Sequence, residues 1–236
     1  QQPAAEREPS LEDMTRVALA ELDQAPNGFV LQIEGGRVDH AAHANDAAAL
    51  VQDQVAFDYA IAAVDAFTKG RDDTLVLLTT DHANANPGLT VYGQPGIRCW
   101  ERLANATHSF EWITERFAEL TDKTRDKANA DPLEAFVALV EQAADVKLTQ
   151  AERDAIQRGV LDRQPTSPFR PLSQPLPVLG QVLANHFGVA FVSPNHTADY
   201  VELTAWGPGS EPVAGLMDNI ELHTLMRNAL GFTKHK

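Results

Sequence analysis

Hydrophobic positions Leu11, Met14, Val17, Ala18 and Leu22 recur at helical spacing behind Ser10, with Asp13 placed to reach back to that cap. Pro26, Asn27 and Gly28 close this first predicted helix. The mostly apolar run 28–33 then leads straight into Glu34, Gly35 and Gly36, the pattern of a strand ending at a turn. An Ala-rich helix is predicted over about residues 44–68, stopped by Gly70 and Asp72, and a second apolar strand over residues 74–80. Strand, turn, helix and strand again make a βαβ pattern, so the fold class expected is α/β, with a central, mostly parallel sheet flanked by helices.

The pattern changes from about residue 94 to residue 183. Helical periodicity recurs around residues 100–120, 132–144 and 149–160, and then Pro165, Pro168, Pro171, Pro175 and Pro177 punctuate the chain. This stretch predicts a helical insertion that returns through an extended, proline-stiffened connector. Residues 188–192 and 200–206 read as strands with Asn195, His196 and Thr197 between them. Leu216, Ile220, Leu222, Leu225, Met226 and Leu230 form one face of a closing amphipathic helix. The expected organisation is therefore residues 9–92 as the first part of a core, 93–187 as insertion and connector, and 188–232 as the last strands and helix of the core.

Composition narrows what such a domain can bind. With 236 residues and 44% hydrophobic content the chain can bury a sizeable core, yet it carries a formal charge of -14 and a pI near 4.9. Nothing in it would track a nucleic-acid backbone. An acidic protein binds phosphate through local cations, and metal ions held by carboxylates and imidazoles supply them. Cys99 is the single cysteine and cannot form a disulfide within the chain. No apolar run is long enough to span a bilayer, and residues 1–9 have neither the basic nor the apolar region of a signal peptide. A first residue of Gln leaves a processed or truncated product open.

The candidate chemistry is concentrated in the string from Glu34 to His43. Asp39 and His43 are four apart, so a helix beginning here puts them on one face, where they can close on a single ion. The alternative is that Asp39 caps the helix and the histidines are solvated. Asp81 and His82 follow the apolar run 74–80, and His196 follows 188–192; the ends of strands are where ligands bind in open α/β sheets. Asp39, His43 and His196 would complete one three-ligand zinc site with a position left open, while Asp81 and His82 supply part of a second. Glu34 is a hard oxygen ligand suited to magnesium or, alternatively, a partner for Arg37. His40 is the one further histidine near enough to touch substrate.

These strings resemble alkaline phosphatases. The resemblance runs through Pro9, Ser10 and Leu11, Met14 and Thr15, residues 30–46 (VLQIEGGRVDHAAHAND), Thr79 to His82, Asn195 to Ala198, Trp206 to Gly209, and the closing 217–222 (MDNIEL). It covers about residues 9–92 and 187–232. It implies that Asp39, His43 and His196 hold one zinc, that Asp81 and His82 hold the second, and that Glu34 holds magnesium. The implied reaction is in-line attack by a serine on a phosphate monoester, then hydrolysis of the phosphoserine. Two ions about 4 Å apart would activate the nucleophile and stabilise the leaving oxygen. A homodimer and a periplasmic or extracellular location are further family expectations.

The departures from the family pattern are equally specific. The Asp-Ser-Ala type nucleophile motif, a further metal-binding Asp and the phosphate-binding Arg are absent; Ser10, Ser109, Ser167, Ser173, Ser193 and Ser210 are the serines, and none lies in such a motif. Many members continue from Asp-His into Glu-Thr-Gly-Gly, where this chain has Ala83, Asn84, Ala85 and Asn86. The expectation is a metal-site half that works with an N-terminal segment of the same protein carrying the serine. Alternatives are a non-catalytic metal-binding module and a related phosphodiester or sulfate ester hydrolase.

Overall fold

A computed structural model describes residues 8–124 and 131–232. Local signals start most of its helices. Ser10 and Asp13 form the expected capping box, Ser10 Oγ accepting from Asp13 N at 3.1 Å while Asp13 Oδ2 accepts from Ser10 N at 2.9 Å, and α1 (Leu11–Leu22) follows. The predicted helix of residues 44–68 has a different boundary. Helix α2 (Gly36–Ala44) ends at Asn45, which adopts a left-handed conformation at φ 55° and ψ 33°, and α3 (Ala47–Thr68) starts afresh.

The helical stretch after residue 93 comprises α4 (Gly93–Asn105), α5 (Phe110–Thr124), α6 (Pro132–Ala144), α7 (Gln150–Ile156) and α8 (Pro175–Phe187), with a π turn at Gln157–Leu161 and a 3-10 turn at Arg170–Ser173. The periodicity of residues 100–120 is thus shared by two helices. The Asp46 carboxylate accepts from Phe110 N at 2.7 Å and so satisfies one of the orphan donors that open α5. Burial pushes the Asp46 carboxyl up, against the backbone donors of Phe110, Ala49 and Ala48. The extended connector is also revised. Pro175 and Pro177 lie in the first turn of α8, where a missing N–H costs nothing, and Pro171 lies in the 3-10 turn.

The α/β class holds, with short ladders. Strands β1 (Val76–Leu78) and β6 (Thr204–Trp206) pair antiparallel, as do β3 (Pro87–Leu89) and β4 (Val189–Phe191); β2 (Ala83–Asn84) pairs with β5 (His196–Thr197). The two ladders with a defined register therefore run opposite to the expected parallel direction. A strand requires a neighbour, and residues 28–33 join no ladder among the described residues, so the βαβ pairing with residues 74–80 is not formed. Helix α9 (Asn219–Ala229) closes the chain behind the Asp218 cap.

Two compact units emerge. Residues 1–33, 58–83 and 198–236 form the first, and residues 34–57 and 84–197 the second. In the first unit Leu19, Ala60, Ala63 and Leu225 are buried, and the Trp206 indole donates to Thr68 Oγ1 at 3.2 Å. Gly207 follows at φ 90°, and a Cβ there would stand 2.1 Å from Thr74 O. Gly207→Ala is therefore expected to destabilise the β1–β6 end of this unit by about 3 kcal/mol, through backbone strain and overpacking together. A thermal transition unchanged from wild type would contradict that reading.

The second unit has its core among Phe110, Ile113, Phe136, Val137, Val140, Ile156, Leu179, Leu183 and Phe187. Glu152 joins α7 to α8 within it. Its Oε2 accepts from Thr149 N and Oγ1 at 2.8 and 2.9 Å, and its Oε1 accepts from Asn185 Nδ2 at 3.0 Å and lies 3.1 Å from His186 Nε2. Desolvation raises this carboxyl, but the donors of Thr149 and Asn185 and the nearby His186 outweigh it and hold the group below its ordinary value. A carboxylate depressed in the fold stabilises above the ordinary carboxylate range and loses that contribution as pH falls through its lower folded value. Glu152→Gln, whose amide would turn a donor toward one of these donors, is expected to cost about 1–3 kcal/mol at neutral pH and to lessen that acid-side loss. Urea unfolding of both proteins at several acidic pH values is the check, and identical pH slopes would count against it.

Candidate metal centre

The metal-ligand string begins where two glycines permit close packing. A Cβ on Gly35 would stand 2.8 Å from the Phe57 ring, and one on Gly36 would meet Glu34 Oε1 at 3.1 Å. Gly35 thus admits Phe57, and Gly36 leaves the space into which the exposed Glu34 carboxylate folds. Helix α2 then carries Asp39 and His43 one turn apart, with His43 Nε2 3.4 Å from Asp39 Oδ2. The Arg37 guanidinium, two residues before Asp39, is bound by Glu111 on α5 and committed to that pair, which holds Glu111 below the usual carboxylate range.

His196 enters from β5. Its Nε2 lies 3.1 Å from His43 Nε2 and 3.7 Å from Asp39 Oδ1, and the two imidazole rings are 4.9 Å apart between centroids. The His43 Nδ1 faces Pro194 O at 2.6 Å. A carbonyl accepts only, so Nδ1 carries a proton and Nε2 is the ring nitrogen turned toward His196. Two ring nitrogens facing each other at this distance need a proton or a cation between them. From His43 Nε2 the separations of 3.1 Å to His196 Nε2 and 3.4 Å to Asp39 Oδ2 lie near the edge of a tetrahedron, roughly 3.3 Å, whose centre binds each corner at about 2.0–2.1 Å; His196 Nε2 stands 3.7 Å from the other carboxylate oxygen, Oδ1. The donor set fits a zinc ion with its fourth position open.

Asn84 on β2 steers the carboxylate. Its Nδ2 donates to Asp39 Oδ1 at 2.6 Å and lies 3.3 Å from Asp39 O. Oδ1 is thereby engaged, and the carboxylate is fixed in orientation. The loop carrying His196 is held from the same side, because Ala85 N donates to Asn195 O at 2.9 Å and Ala85 O accepts from Val192 N at 3.0 Å. Ala85 is fully buried at φ 57°, and Asn86 follows at φ 46°, two left-handed residues in succession beside the site.

Asp81 and His82 belong to the first unit. His82 Nε2 lies 3.5 Å from Asp81 Oδ2, and Thr80 Oγ1 donates to His82 O at 3.0 Å. His40 is exposed, near Asp53 and Glu111. The structure thus brings Asp39, His43 and His196 together in the second unit and keeps Asp81 and His82 adjacent in the first. Sequence spacing does not mark Asn84 as a partner of Asp39, nor Asn45 as more than the residue that ends α2. An Asn closing a helix is a recognised left-handed cap, and that signal was present at Asn45.

Comparison with known proteins gives the family. The alkaline phosphatase family model matches residues 2–232. Alkaline phosphatase 3 of Bacillus subtilis (strain 168) is 26% identical over 95% of this chain and 45% of its own length, and alkaline phosphatase 4 of the same organism is 28% identical over 90% and 42%. The alkaline phosphatase of Thermus thermophilus superposes with a TM-score of 0.78 at 29% identity, covering 95% of this chain and 48% of that one. The cold-active enzyme of Shewanella sp. shares the fold at a TM-score of 0.69 and 23% identity. The chain spans about half the length of the relatives it matches. Among the described residues no helix is long and apolar enough to cross a membrane.

Proposed function

Since this chain belongs to the alkaline phosphatase family, we propose that it supplies the metal-binding half of a zinc- and magnesium-dependent phosphate monoesterase whose serine nucleophile comes from a segment outside these residues. The observation that carries the reading is the convergence of Asp39, His43 and His196. One Asp39 carboxylate oxygen and the two Nε2 atoms would hold one zinc, Asp81 and His82 would contribute to a second, and Glu34 would serve magnesium. When bound, the metals would supply the positive charge that polarises a phosphoryl oxygen and stabilises the attacking and leaving oxygens.

The remaining work falls to the protein. Hydrogen bonding to Pro194 O keeps His43 in the tautomer that exposes Nε2, and Asn84 holds the Asp39 carboxylate so that it need not reorganise on binding. The Asp39, His43 and His196 side chains remain 37%, 36% and 53% exposed, which leaves an open approach for a charged substrate. A protein of net charge -14 repels a phosphate monoester in bulk, so local cationic charge is what this reading requires. Export to the periplasm or beyond fits the family relationship.

The full-length protein is expected to hydrolyse p-nitrophenyl phosphate, to lose that activity to a chelator and to regain it with zinc. The isolated 236-residue chain is expected to show no turnover. Hydrolysis by the isolated chain would overturn the division of labour, and a preference of the full-length protein for a sulfate ester or a phosphodiester would reassign the substrate.

A further inference from the structure

Asn45 lies two residues beyond His43 and is 2% exposed, at the left-handed residue that ends α2. Its Nδ2 donates to Ala42 O and to Ser193 O, both at 2.9 Å. Ser193 immediately precedes Pro194, whose carbonyl receives His43 Nδ1. Two successive carbonyls of the loop that delivers His196 are therefore gripped by two side chains from one turn of α2. The third side of Asn45 is closed by α8, where a Cβ on Gly180 would stand 2.6 Å from Asn45 O and 2.8 Å from Asn45 Cβ.

The chemistry of the side chain is informative. A left-handed helix end is served at least as well by glycine, so the backbone alone does not call for Asn. An amide offers two N–H groups from one nitrogen, matching the two carbonyls, whereas a carboxylate would repel both and an aliphatic side chain would orphan them. The Asn45 Oδ1 is buried with no hydrogen-bond partner, which costs stability. A residue that leaves half of its amide unsatisfied is poorly explained as a stabiliser of the fold.

We infer that Asn45, braced by Gly180 of α8, is a positioning residue that sets the spacing between His43 and His196 and couples the helical segment around α8 to the metal centre. This rests on the assignment of Asp39, His43 and His196 as zinc ligands. Asn45 touches no metal or substrate. It acts through Ser193 O, which fixes the register of the 193–196 loop against α2.

Asn45→Gly tests this in the full-length protein because it keeps the left-handed backbone while removing the amide together with the Cβ that faces α8. Zinc is titrated against a competing chelator, together with cobalt(II) absorption as a report of ligand geometry. Expected are about 10- to 100-fold weaker zinc binding, the range for losing an outer hydrogen-bond partner, an altered cobalt spectrum, and an equal rise in the zinc concentration giving half-maximal activity. Gly180→Ala, which presses on Asn45 O, is expected to weaken zinc in the same direction, while Val140→Ala in the core lowers the melting temperature with zinc affinity unchanged. Zinc affinity within about twofold of wild type in both Asn45→Gly and Gly180→Ala, with His196→Ala still losing zinc, would overturn the inference alone. Unchanged zinc in His196→Ala would instead overturn the ligand assignment beneath it.

Discussion

His196→Ala in the full-length protein is expected to bind zinc at this site at least about 10³-fold more weakly and to lower kcat/KM for a phosphate monoester by a similar factor or more. Losing an outer-shell partner already costs about 10- to 100-fold in metal affinity, and removing a direct ligand costs more. The pair His43 and His196 makes the argument sharper, because His43 Nε2 is 3.1 Å from His196 Nε2 and only 3.4 Å from Asp39 Oδ2. Removing either histidine leaves two ligands, fewer than the three that catalytic zinc sites present. A thousandfold loss in kcat/KM corresponds to about 4 kcal/mol of transition-state stabilisation. His43→Ala should behave alike, whereas His40→Ala should keep its zinc, since His40 lies exposed near Asp53 and Glu111. Elemental analysis after dialysis, with kinetics across a range of added zinc, is the check. Full zinc retention in both His43→Ala and His196→Ala would remove this ligand set.

Phe136→Ala should have the largest effect on stability, about 3–5 kcal/mol. Phe136 is 2% exposed in α6 and packs edge-on to Phe117 of α5, with ring centroids 5.1 Å apart and an interplanar angle of 87°. Ile113, Val140 and Ile156 of the same core are wholly buried, so truncation leaves a cavity that close packing cannot collapse. Denaturant unfolding should show a lower midpoint with zinc affinity retained below the transition. A loss under about 1 kcal/mol would place the core of the second unit elsewhere.

How much of this was legible in the sequence depended on whether the signal was local. Ser10 with Asp13 and Thr149 with Glu152 are capping pairs that act over three residues, and α1 and α7 begin where those pairs place them. The four-residue spacing of Asp39 and His43 was enough to put both on one face of α2. His196 lies 153 residues from His43, and what joins it to them in sequence is its place after the apolar run 188–192, together with the resemblance of its surrounding string. Strand direction was not legible. The apolar runs at residues 28–33 and 74–80 suggested parallel neighbours, but Leu77 pairs with Ala205 in an antiparallel ladder, and which backbone meets which is a tertiary matter. Prolines misled for a physical reason, since Pro175 and Pro177 are as compatible with the first turn of α8 as with an extended connector. The roles of Asn45 and Asn84 depend on carbonyl and carboxylate partners far away in sequence, Ser193 and Asp39, so spacing alone could not reveal them.

The central claim is that Asp39, His43 and His196 hold one zinc ion. Anomalous diffraction at the zinc edge from crystals of the zinc-loaded full-length protein tests it most directly. A peak is expected about 2.0–2.2 Å from one Asp39 carboxylate oxygen and from the Nε2 atoms of His43 and His196. Well-ordered density for these three side chains with no anomalous peak between them, at full zinc loading elsewhere in the protein, would contradict it.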